Sequence, residues 1–150
     1  MQIQLTGTEA FFAALAQVRE AGEDAVVDFV TIATLSLHRR AVRSIQRGPA
    51  SGRIYQKYNP RRTHQASAPG EAPMSDQGGL VRSIQFELPS SGDKKPEGVV
   101  GTNLPYGKFL ELKPSTRGGR PWLKPAFDRT AADAQRLLTS TYKAQARKRK

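Results

Sequence analysis

"EDAVVDFVTIATLSLHRRAVRSIQRGP", residues 23 to 49, decides how this chain folds. Val26, Val30, Ala33, Leu37, Ala41 and Ile45 recur at three- and four-residue intervals, which places them in one stripe along an α-helix. Glu23 and Asp24 stand at its start, where negative charge suits the exposed N–H groups and positive end of a helix. Arg39, Arg40, Arg43 and Arg47 gather in its later turns, where cations are favoured, and Gly48-Pro49 ends the period. A buried stripe this long predicts the wall of a core on which the other elements pack. His38 lies beside it with no second ligand-type residue one turn on, and reads as a structural histidine rather than a metal ligand.

Working outward toward the N-terminus, "MQIQL" alternates Met1, Ile3 and Leu5 with glutamines, the period of a short strand. Thr6 precedes Glu9 by the three residues of a capping box. Phe11, Leu15 and Val18 then predict a first helix from about Gly7 to Glu20, broken at Ala21-Gly22.

Toward the C-terminus, the helical period disappears between Gly48 and Gly79. "GRIYQKYN" alternates imperfectly and is a candidate strand, and the prolines and small residues of "PRRTHQASAPGEAP" disfavour any helix interior. The stretch 48–78 is therefore expected to be a long extended arm without a core of its own. Asp76 is placed to cap a short helix carrying Leu80, Val81 and Ile84. Phe86 and Leu88, a polar loop, then Val99-Val100 read as strand, hairpin and strand; "LPYGKFLEL" reads as a short helix around Tyr106, Phe109 and Leu110. Pro125 suits the first turn of a last helix whose buried side would carry Phe127, Ala131, Ala134, Leu138 and Tyr142. The period ends near Tyr142, which predicts a basic tail, 143–150, beyond the packed body. The expected fold is α+β: one domain over 1–142, a small antiparallel sheet packed by a long helix in the N-terminal half and a C-terminal helix, with a long extended loop.

Composition narrows what such a domain does. At 150 residues the chain suits one domain, and its 37% hydrophobic content is below the usual globular share, so part of it is expected to depend on partners. The formal charge of +11 calls for acidic partners: nucleic acid, an anionic surface or an acidic protein face. Basic residues cluster in "HRRAVRSIQR" (38–47), "NPRR" (59–62) and "YKAQARKRK" (142–150). The absence of cysteine excludes disulfides and thiol catalysis, and two histidines do not make a histidine-rich metal site. Neither a membrane span nor a secretory leader is expected from the hydropathy pattern.

Chemistry finds little support. Ser67, His64 and Glu71 supply the residue types of a hydrolase, but "ASAPG" is not the strand-to-helix elbow that presents a nucleophilic serine. A metal-dependent nuclease needs converging carboxylates, whereas the acidic residues here fall singly at helix starts or in loops, with Glu111 alone on its helix. No catalytic residue, metal ligand or cofactor site is expected.

Three blocks taken together carry a resemblance: "HQASAPGEAPMSDQGGLVRSI" (64–84), "VVGTNLPYGKFLEL" (99–112) and "RPWLKPAFD" (120–128). In this order they resemble the tail-component family of long-tailed bacteriophages, the neck, tail-completion or head–tail joining proteins. Ser67, Ala68, Pro69, Gly70, Glu71 and Pro73 match the first motif of that family; Asp76, Gly78, Leu80, Ser83 and Ile84 match the second, with Gln77 where threonine is usual. Gly101, Thr102, Pro105, Tyr106 and Glu111 follow, then Arg120, Pro121, Leu123, Pro125 and Ala126, with Trp122 in an aromatic position. One departure concerns the fold: after Glu111 the chain reads Leu112-Lys113-Pro114, without the usual turn glycine.

The resemblance implies a structural virion protein made in the host cytoplasm and located at the head–tail interface. It implies a ring, a hexamer in preference to a dodecamer, that joins the capsid to the tail and lets genomic DNA pass unread. Portal-side, neck and tail-tube or tail-terminator proteins would be its neighbours, with no membrane involved. Tyr55, His64, Ser67, Pro69, Gly70, Glu71 and Pro73 would form an assembly arm, and Arg61, Arg62, Arg147, Lys148, Arg149 and Lys150 would meet DNA or an acidic partner. The alternatives are a free nucleic-acid-binding module and a metal-dependent nuclease.

Overall fold

The computed structural model describes residues 8–148, with side chains from residue 13. The expected strand at 1–5, the Thr6 cap, the Phe11 contact, Arg149 and Lys150 lie outside the described residues. The order is α1 (Thr8–Arg47), β1 (Ile54–Tyr58), β2 (Arg61–Gln65), α2 (Gly79–Ser83), β3 (Ile84–Glu87), β4 (Val99–Thr102), α3 (Pro105–Leu112), α4 (Lys124–Ala132) and α5 (Ala134–Lys148), with a 3-10 turn at Ser115–Arg117. The fold is α+β, with a long N-terminal helix, antiparallel strands and a C-terminal helix.

Helix α1 is a single element of 40 residues, about 60 Å long. The predicted break at Ala21-Gly22 does not occur. A glycine inside a helix costs about 1 kcal/mol relative to alanine, and packing on both sides of Gly22 offsets it: Ala21 and Ala25 are buried. One turn beyond Ala25, the Gln145 amide of α5 donates to the Asp28 carboxylate at 2.5 Å. Further along α1, Arg40 donates to Asp133, at the head of α5, again at 2.5 Å. The two bonds run in opposite chain order, so α5 lies antiparallel along α1.

The core sits over the C-terminal half of α1, where Ala41 and Ile45 pack with Leu80, Ile84, Trp122 and Ala126. Leu37, Val42, Val81, Val100, Leu110 and Leu123 close around it. The expected stripe is thus buried only at its end: Val26 is exposed, and Val30 and Ala33 are half-buried. The β3–β4 pair covers the later turns alone, with Ile84 opposite Thr102 and the Phe86 ring 4.9 Å from the His38 ring. Gly98 permits this approach, since a Cβ there would stand 1.8 Å from the Thr34 hydroxyl.

The antiparallel strands form two two-stranded sheets, β1–β2 and β3–β4. One further expectation is corrected. The C-terminal helix is divided at Asp133, and its buried side is Ala126, Thr130, Thr141 and Gln145, while Phe127, Leu138 and Tyr142 are exposed. Small and polar side chains occupy the seam because the helices approach closely. The Thr130 and Thr141 hydroxyls donate to their own helix carbonyls, Ala126 and Leu138, so their burial leaves no donor unmet. The basic segment after Tyr142 is therefore helical through Lys148 and packs through Gln145, instead of trailing beyond the body.

Candidate assembly interface

The residues of the family-like blocks converge on a framework. Trp122, buried in the core, donates its indole N–H to the Gly107 carbonyl at 3.1 Å. Glu111 accepts the backbone N–H groups of Trp122, Leu123 and Lys124 at 2.7 to 2.8 Å, which satisfies the open donors at the head of α4. This acid is a remote helix cap. Pro125 occupies the first turn of α4, where its missing N–H is not needed. The turn that follows Glu111 is displaced rather than lost: Gly118 takes φ +83° and Gly119 lies where a Cβ would stand 1.9 Å from the Lys113 carbonyl oxygen.

That turn receives the second half of the predicted arm. Gly70 donates to the Gly119 carbonyl at 2.8 Å, and the Arg120 guanidinium donates twice to the Ser67 carbonyl at 3.0 and 3.1 Å. Ser67 is buried, and its hydroxyl accepts the Met74 N–H at 3.3 Å. Glu71 accepts from the Ser51 hydroxyl at 2.5 Å and the Ala68 N–H at 2.7 Å; the Ser51 bond first, then Ala68, lower its pKa. Pro73 is buried, and Ser75 donates to the Ile45 carbonyl at the end of α1. Residues 66–75 are thus docked on their own domain, a correction to the fully extended arm. Pro69 and Gly70 remain exposed.

The first half of the arm is different. Strands β1 and β2 form an antiparallel hairpin, Tyr55 opposite His64, closed by a cis peptide at Asn59-Pro60. Ile54 is 58% exposed and Tyr58 84%, and Tyr55 is exposed with the Arg53 guanidinium over its ring at 5.7 Å. The hairpin is tethered through Asp76, which forms ion pairs with Lys57 and Arg62 and lies 3.6 Å from His64 Nδ1. The hydrogen bond from Lys57, joined by Arg62, holds the Asp76 carboxyl below its ordinary range against the opposing effect of partial burial. Asp76 is therefore a tether and not the predicted helix cap; Gly78 holds the position before α2. Asp76, Gly78, Leu80 and Tyr106 border one pocket of about 290 Å³.

Ser67, His64 and Glu71 are engaged with Met74, Asp76 and Ser51 respectively. Among the described residues no group of three or more His, Cys, Asp or Glu is placed to hold a metal ion, and no helix is long and apolar enough to cross a membrane. Arg62 is committed to Asp76, whereas Arg61, Arg147 and Lys148 are exposed. Sequence reasoning missed Lys57, since only the hairpin register aligns it with Arg62 and toward Asp76. Comparison with protein-family models, curated proteins and solved structures gives no match to this chain.

Proposed function

We propose that this protein is a structural subunit of a phage neck or tail-completion ring, joining the DNA-filled head to the tail. The observation that carries the reading is the β1–β2 hairpin. A two-stranded sheet alone is marginally stable in water, and one with bare edges and exposed Ile54, Tyr55 and Tyr58 is suited to join another chain. Strand addition would satisfy its open backbone groups and cover its apolar side chains together. The three ordered sequence blocks support the same reading. One heterologous contact repeated around an axis closes a ring, of six copies in preference to twelve, with portal-side and tail proteins as neighbours. Arg61, Arg147 and Lys148 face solvent, where they would meet an acidic neighbour or passing DNA without reading its sequence. No enzymatic step is part of this reading.

The test is electron microscopy of virions, asking whether the chain lies at the head–tail interface, beside particles carrying Tyr58→Ser and Ile54→Ser. The expected outcome is a ring there and a fall in joined particles with the variants, whose isolated subunits keep the parental melting temperature. Location elsewhere in the particle overturns the reading. Steeply salt-dependent binding of the isolated subunit to duplex DNA, together with absence from the virion, would favour a free nucleic-acid-binding module.

A further inference from the structure

Four arginines share one face of the molecule. Arg39, Arg43 and Arg47 follow one another at four-residue steps on α1, so they form a row about 12 Å long. Arg129 of α4 joins Arg43 and Arg47 in lining a hollow of about 820 Å³. Two smaller hollows, of about 320 and 230 Å³, continue this surface to Arg39, and each shares Arg43 with the first. All four side chains are exposed, and none forms an ion pair among the described residues. Asp133 is the single acid lining these hollows among the described residues, and Arg40 and Arg136 already hold it.

Like charges one helical turn apart repel each other, and no unpaired acid on this face offsets them. The negative end of a helix dipole favours Arg47 and Arg129, each in the last turn of its helix. That influence fades within a turn and leaves Arg39 and Arg43 unaccounted for. A bound polyanion would relieve all four. The surface chemistry selects which one. With Trp122 only 2% exposed, the main hollow offers neither a ring on which to stack a base nor an apolar floor. A protein partner would find no apolar centre here, whereas interfaces with duplex DNA are polar and strongly positive. Guanidinium groups also meet phosphate with two parallel N–H donors.

We infer that Arg39, Arg43, Arg47 and Arg129 together grip the phosphate backbone of duplex DNA without reading its sequence. This rests on the neck reading for its setting, DNA passing a ring, and names a surface for that contact beyond Arg61, Arg147 and Lys148. Each arginine that neutralises a phosphate releases a counterion, so the binding is driven by charge and weakens as salt rises.

Fluorescence anisotropy with the full chain and two short labelled duplexes of unrelated sequence tests it. Four phosphate contacts predict a slope of about −3.6 in log affinity against log salt, a loss on the order of 100-fold between about 50 and 200 mM. Arg43→Gln/Arg129→Gln is expected to make the slope shallower by about 2 on both duplexes. Its melting temperature should match the parent's, since neither side chain is paired. Lys94→Gln/Lys95→Gln removes the same charge from the exposed β3–β4 loop and is expected to leave the slope unchanged. Equal losses from the two double variants would assign binding to net charge alone and overturn the inference. So would a parent that binds neither duplex, or one that strongly prefers one of them. Displacement by polyglutamate at a lower charge concentration than by unlabelled duplex would overturn it too, by assigning the face to an acidic protein. Virion microscopy decides the neck location separately: these titrations use the isolated chain, and their failure would leave a ring at the neck standing.

Discussion

Glu111 shows how much a single side chain does here. Its carboxylate takes three consecutive backbone N–H groups at the head of α4, joining α3 to the helix that carries Ala126 into the core. Removing a cap costs roughly 0.5–2 kcal/mol, and leaving part-buried donors unmet adds to it, so Glu111→Ala is expected to lower stability by about 1–3 kcal/mol. Glu111→Gln, which keeps one accepting oxygen, should lose less. Leu112→Ala next to it, at a side chain 70% exposed, should stay within about 0.5 kcal/mol of the parent. Urea unfolding measures all three, and equal midpoints would show that the cap is not used. From the sequence Glu111 was a lone acid on a short helix. Its targets lie eleven to thirteen residues away, beyond a turn whose closure depends on Gly118 and Gly119, so no local spacing announces the pairing.

Among elements, α5 departs most from expectation. An apolar period assigned its buried side to Leu138 and Tyr142 and left the residues after Tyr142 outside the body. The seam instead uses Ala21 and Ala25 on α1 and Thr141 and Gln145 on α5. Truncation after Tyr142 would leave the part-buried Asp28 carboxylate without its Gln145 partner. An unmet buried group costs about 1–3 kcal/mol, and each kcal/mol corresponds to roughly 2–4 °C in a domain of this size. The truncated chain is thus expected to melt several degrees lower, with Gln145→Ala reproducing most of the loss and Lys143→Ala none. A truncated chain that melts with the parent would show that the last turns of α5 contribute nothing. Small and polar seams escape a search for hydrophobic periodicity because close helix approach selects for size, and hydrogen bonds then satisfy what is buried.

For the molecule as a whole, three carboxylates tie together segments far apart in sequence: Asp76 links the hairpin to the approach to α2, Asp133 links α4 and α5 to α1, and Glu71 links the docked arm to Ser51. Hydrogen bonds from Lys57, Arg40 and Ser51, respectively the largest cause for each, lower all three pKa values. A lowered carboxyl stabilises the fold fully above its unfolded pKa, about 4, and that contribution is lost as pH falls through the lower folded value. Melting temperature is therefore expected to drop as pH descends below about 4. The double variant Asp76→Asn/Asp133→Asn should be less stable at neutral pH and show a shallower drop; an identical acid slope in parent and variant would assign acid unfolding to other groups. At this scale the sequence by itself determined the α+β class, the long helix through Ile45, the β3–β4 hairpin with the short helix after it, and a strongly basic chain. Those features follow from periodicity and charge, which are properties of neighbouring residues. Only the tertiary structure decided that α1 runs unbroken past Gly22, that Asp76 is a tether and Glu111 a cap, that half the arm docks on Arg120 and Gly119, and that Arg43, Arg47 and Arg129 share one groove. Each of these depends on which distant groups are brought within hydrogen-bonding or packing distance, and chain spacing does not encode that distance.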